Sequence, residues 1–70
     1  MVKNVNDIVQ LVRRRDNVSA FEAQHIVNDC IKSVREAIEH GLSLEELEDI
    51  VGYELGLEPD YLEIILHQLS

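Results

Sequence analysis

The chain is poor in everything that would tie it down covalently or break it into short elements. It has one cysteine, Cys30, so no internal disulfide can staple it, and an unpaired thiol fits a reducing compartment. One proline and three glycines in 70 residues leave most of the chain free for regular structure. Tryptophan is absent and the aromatics are Phe21, Tyr53 and Tyr61, so a core has to be built from Leu, Ile, Val and Ala. The longest apolar runs are three residues, Ile64 to Leu66 being one, against about 20 needed to cross a bilayer. No signal-peptide pattern opens the sequence. These absences give a soluble, cytoplasmic protein as the expectation.

Positive charge is missing from the whole second half. Residues 36–70 hold ten acids and no Lys or Arg, a charge of −10. Residues 1–35 hold Lys3, Arg13, Arg14, Arg15, Lys32 and Arg35 against Asp7, Asp16, Glu22 and Asp29, a charge of +2, for a net charge of −8. An acidic half repels nucleic-acid phosphates and attracts basic protein surfaces. The hydrophobic content of 46% is too high for a disordered chain. Seventy residues make one domain, 1–70, that buries only about 60% of its unfolded surface.

What is present is helical periodicity. An all-α fold is expected: a compact bundle of three main helices plus a C-terminal fourth, over residues 5–15, 20–40, 44–55 and 59–69. In the first, Val5, Ile8, Val9 and Val12 recur at helical spacing beside Leu11. Asn4 or Asn6 can cap it, and Arg13, Arg14 and Arg15 occupy the last turn, where the dipole favours cations. Asp16-Asn17 read as a turn.

The second helix opens on a capping box, Ser19 to Glu22, and stops at Gly41. Ala20, Ala23, Val27, Cys30, Val34 and Ala37 step by three and four, a seam of small residues that lets neighbouring helices approach. Phe21, Ile26, Ile31 and Ile38 are expected to widen that stripe. The third helix repeats the capping box at Ser43 to Glu46, with Leu42 and Leu47 as a hydrophobic staple. Leu44, Leu47, Ile50, Val51 and Leu55 should face inward; Gly52 either lets another helix pass close or ends the helix early. Gly56 closes the segment. The fourth helix is expected to start at Pro59, with Leu62, Ile65, Leu66 and Leu69 on one face and Tyr61 and Ile64 at its edges.

No spacing carries chemistry. His25, His40 and His67 share no metal-binding interval with one another or with Cys30, so surface or capping roles are expected of them. Cys30 sits in the middle of the apolar seam and should behave as a small hydrophobe rather than a nucleophile. Carboxylate pairs such as Glu45 with Asp49 and Glu36 with Glu39 read as a solvated face. No Gly-rich phosphate loop, Ser/His/Asp order or zinc motif occurs. Neither enzymatic activity nor a metal or cofactor is expected. The one basic cluster, Arg13, Arg14 and Arg15, splays around a helix; its expected role is a helix C-terminal cap with salt bridges to the acidic half.

Two resemblances overlap in the second half. "SLEELEDIVGYELGLEPDYLEIIL", Ser43 to Leu66, resembles the helix-turn-helix half of arabinose-operon-type transcription regulators. Leu55-Gly56-Leu57, Pro59 and Tyr61-Leu62 match that family's rhythm of capped helix, Leu-Gly turn and Ser-Pro-x-x-Leu-type helix. The departures are Glu58 in place of the Ser or Thr cap, and Asp60 and Glu63 at the basic or polar reading positions. A helix with those acids and no cation meets phosphate repulsion in a major groove. The second resemblance spans most of the chain. "LVRRRDNVSAFEAQHIVNDC", an acidic middle and "LGLEPDYLEIIL" are similar to small helical proteins of phages, prophages and bacterial mobile elements. It implies a compact helical fold in a bacterial or phage cytoplasm and carries no catalytic residue.

The function expected is that of a small non-enzymatic interaction module, in the setting of a phage or prophage accessory protein. Glu45, Glu46, Glu48, Asp49, Glu58, Asp60 and Glu63 are the candidate surface for a partner with a basic patch. A second copy of the chain is another candidate partner, because a bundle this small gains core by pairing. The alternatives are a DNA mimic whose acids occupy a host protein's nucleic-acid groove and, further off, a divergent helix-turn-helix regulator that would need Arg13, Arg14 and Arg15 to touch DNA.

Overall fold

Each of the first three helices begins where a side chain takes over an amide that the helix leaves unpaired. The structure, a computed structural model, describes residues 4–69. Helix α1 spans Val5–Asp16, α2 Ala20–Glu39, α3 Leu44–Leu55 and α4 Tyr61–Leu69. Among the described residues there is no strand. Asn4, not Asn6, caps α1: its Oδ1 accepts from the Asp7 amide at 3.0 Å, and Asp7 Oδ2 accepts from the Asn4 amide at 3.3 Å. Ser43 and Glu46 form the same reciprocal pair at α3, at 3.3 Å in each direction. At α2 only half of the expected box is made. Ser19 Oγ accepts from the Glu22 amide at 3.1 Å, without the return bond from the Glu22 carboxylate.

The stops are left-handed residues. Asn17 (φ 54°) ends α1 and its amide donates to the Arg13 carbonyl. Gly41 (φ 75°) ends α2 in a Schellman arrangement: the Leu42 amide reaches the Ala37 carbonyl and the Gly41 amide the Ile38 carbonyl, both at 3.0 Å. Gly56 (φ 65°) ends α3, its amide donating to the Gly52 carbonyl at 3.0 Å. The fourth helix starts two residues later than expected. Tyr61 and Leu62 donate to the carbonyls of Glu58 and Pro59, so Pro59-Asp60 form a tight turn ahead of the helix.

The principal packing pairs close a ring: α1 on α2, α2 on α3, α3 on α4 and α4 on α1. The core is Ile8, Val9 and Val12 from α1, Ala23, Val27, Cys30, Val34 and Ala37 from α2, Leu47, Val51 and Leu55 from α3, and Leu62 and Ile65 from α4. Among the described residues it contains no polar side chain and no aromatic. The radius of gyration, 11.4 Å, is close to the roughly 11 Å of a folded domain this long. Among the described residues no helix is long and apolar enough to cross a membrane.

Four apolar positions depart from expectation. Phe21 is 85% exposed. It lies nine residues before Cys30, about two and a half turns, so the two point to opposite sides of α2. Ala20 is the first residue of α2 and stands outside the core in solvent. Ile38 and Leu44 flank the α2–α3 turn, one at each helix end, and are exposed. Gly52 neither ends α3 nor admits a neighbour: a Cβ there would meet nothing within 4 Å.

Gly52→Ala should therefore raise stability by about 1 kcal/mol, the propensity gain without a steric penalty. Gly56→Ala should lower it by about 1–2 kcal/mol, because Gly56 is left-handed and a Cβ there would sit 3.2 Å from Arg15 Nη1. Urea unfolding of the two variants checks both signs.

Candidate functional site

The turn from α3 to α4 brings two helix starts side by side and leaves a groove between them. Leu44 and Glu48, one turn apart on α3, form one wall. Pro59, Asp60, Glu63 and Leu66 form the other, and Leu62, buried in the core, lies at the base. The groove is open and holds about 300 Å³. Leu44 is 61% exposed although its position on α3 points it inward. It is the first residue of α3. A second, shallower depression of about 320 Å³ is lined by Glu58, Asp60, Tyr61, Glu63 and Ile64. Asp60 and Glu63 belong to both and so form the ridge between them.

The seven candidate acids separate on this geometry. Glu48, Asp60 and Glu63 surround the groove, and Glu58 joins Asp60 and Glu63 at the depression. Glu45 and Asp49 are exposed on α3 but line neither. Glu46 is taken up by the α3 cap, where its Oε1 accepts from the Ser43 amide and, at 3.1 Å, from the Ser43 hydroxyl. Between described residues Arg15 pairs with Asp16, and the His25 imidazole lies 3.6 Å from Asp29, so neither contact takes up a groove acid. The apolar half of the site is what reading by periodicity misses: Leu44, Leu62 and Leu66 are assigned by their spacing to the core, yet they also form the groove.

Arg13 and Arg15 are engaged away from the groove. Arg15 is the one that ties helices together: its Nη1 donates to the Leu55 carbonyl at the C-terminal end of α3. Its Nε and Nη2 hold the Asp16 carboxylate at 2.9 and 3.1 Å. That hydrogen-bonded pairing raises the Arg15 pKa and holds the Asp16 carboxyl below the usual range. The expected bridge from this cluster to the acidic half is thus made to a backbone carbonyl, and the carboxylate that Arg15 binds is its own neighbour. Arg13 donates to Gln10 at 3.3 Å, and Arg14 is exposed.

His25, His40 and His67 are all exposed on separate helices or helix ends, His25 lying 3.6 Å from Asp29. Among the described residues no three His, Cys, Asp or Glu gather as a metal site. Cys30 is fully buried in the α2 seam. Burial, with the nearby charge of Glu54 adding to it, pushes its thiol up to about 12. A neutral, enclosed thiol is a poor nucleophile. No protein-family model, no curated protein and no solved structure matches this chain.

The Cys30 shift has a pH signature. The folded thiol keeps its proton up to about pH 12, whereas an exposed one loses it near 9.0. Over that window the unfolded state binds fewer protons, so stability is fully present below about pH 9 and falls as pH rises toward 12. Urea unfolding between about pH 8 and about pH 10.5 should show a steeper decline for the wild type than for Cys30→Ala. Equal slopes would mean that the thiol does not carry this term.

Proposed function

We propose that this protein is a non-enzymatic interaction module whose α3–α4 face docks a basic surface of another protein. The observation that carries this reading is the placement of Glu48, Asp60 and Glu63 around one apolar groove, in a half of the chain with no Lys or Arg. Exposed ion pairs are each worth only about 0.2–1 kcal/mol, so the carboxylates contribute chiefly steering and choice of partner. No Lys or Arg lines the groove, and a field of that sign speeds encounter with a cationic surface and makes it sensitive to salt. The likeness of the segments that open α2 and α4 to phage and prophage proteins supports a bacterial or phage setting.

A DNA mimic would use a different set of acids. It needs charges strung along an outer helix face, as Glu45 and Asp49 are on α3, rather than gathered around a groove. Capture from a bacterial lysate, with each bound protein then purified and titrated, separates the two. Reversal of the groove acids (Glu48→Lys, Asp60→Lys, Glu63→Lys) should weaken binding by at least tenfold, and Glu45→Lys with Asp49→Lys should leave it within about twofold. The opposite pattern favours the mimic. Equal binding by all three proteins removes the proposed role of the groove face.

A further inference from the structure

We propose that the groove takes one large apolar side chain of the partner, Leu-sized or larger, from a segment that carries Lys or Arg on both sides of it. This rests on the reading of α3–α4 as a docking face and adds what that face recognises. Three features lead there. The groove's apolar walls and base come from Leu44, Pro59, Leu62 and Leu66, so its interior offers a partner dispersion and water exclusion rather than hydrogen bonds. Its volume of about 300 Å³ lies at the bottom of the range of small-molecule pockets, and the groove is open, which suits an inserted side chain better than an enclosed ligand. The acids stand on opposite walls, Glu48 on α3, and Asp60 just ahead of α4 with Glu63 in its first turn. Cations that meet both walls must therefore flank the inserted group.

Charge complementarity also decides against a second copy as the occupant. Two copies would bring together chains of −8 each. Of the three arginines in the last turn of α1, Arg15 is already held by Asp16 and the Leu55 carbonyl and Arg13 donates to Gln10, so that end offers a second copy only Arg14 against its groove acids. A cationic partner relieves the crowding of carboxylates that a second copy would increase.

The test uses the full chain and three fluorescein-labelled synthetic peptides in anisotropy titrations at low salt. One peptide has a central Leu flanked by Lys and Arg, one has Ser in place of that Leu, and one has Gln in place of the cations. The protein variants are Leu44→Ser, which changes an exposed side chain and so should leave the fold intact by circular dichroism, and Glu48→Gln with Glu63→Gln. The Leu peptide should bind at least tenfold tighter than either of the others. Leu44→Ser should remove most of that advantage while leaving the Ser peptide's affinity unchanged, a coupling that surface charge alone does not produce. Amide chemical shifts should place the Leu peptide at Leu44, Glu48 and Glu63. If the Leu and Ser peptides bind equally and Leu44→Ser alters neither, the anchor is overturned while the acidic docking face stands. If the Gln peptide binds as well as the Leu peptide, the flanking cations are overturned. Failure of every peptide to bind overturns both the anchor and the docking face. A dimer in light scattering that Leu44→Ser dissolves would make the occupant a second copy and overturn the proposal.

Discussion

The bundle depends on how closely α1 and α3 can approach α2. The seam they pack on, Ala23, Val27, Cys30, Val34 and Ala37, holds nothing larger than Val, and its members are 0–6% exposed. Small side chains bring helix axes together, and at that separation the Ile and Val residues of α1 and the Leu and Val residues of α3 fill the remaining space at interior density. The absence of buried aromatics follows from the same constraint, since a ring in the seam would force the helices apart. The cysteine belongs to this account too: its size, and not its reactivity, suits the position. The fourth helix meets a different requirement. It closes the ring between α1 and α3, and it does so with the larger side chains Leu62 and Ile65.

Charge segregation creates a difficulty that the fold resolves at Arg15. The C-terminal end of α3 exposes carbonyls and favours a cation, yet its own last turn has no basic residue and residues 36–70 have none to lend. The cation arrives from α1. The Arg15 guanidinium donates to the Leu55 carbonyl and lies over Gly56, while Asp16 holds it in place. One side chain thus serves the ends of two helices.

The architecture was legible because its signals are local. Ser43 with Glu46, Gly41 and Gly56 mark helix boundaries within a few residues of chain, and the structure puts caps and stops there. Periodicity recovered the seam for a similar reason: it needs only the angle of each residue about its own helix. That angle says nothing of how far along the axis the core extends. Leu44 has an inward angle but is the first residue of α3, and Ile38 stands near the end of α2, so both emerge into solvent. The site was legible only in part. The abundance of acids could be read, but which of them gather is set by the α3–α4 packing. Glu48 and Glu63, 15 residues apart, share a groove, whereas Glu45 and Asp49, on the same helix as Glu48, do not line it. Arg15 with Leu55 lies further still from sequence reading, because a carbonyl acceptor leaves no trace in residue type.

The groove has its walls on two elements of unequal standing. Helix α3 is anchored by a reciprocal cap at its start and by the Arg15 contact at its end. Helix α4, nine residues long, is the shortest in the bundle and has only a tight turn ahead of it. Local opening of a small domain concentrates in such segments. Separation of α4 from α3 would remove the groove and at the same time uncover Leu62 and Ile65. Whatever bridges the two walls must then be linked thermodynamically to the closed bundle: occupancy holds α4 down, and a well-seated α4 is the form that can be occupied.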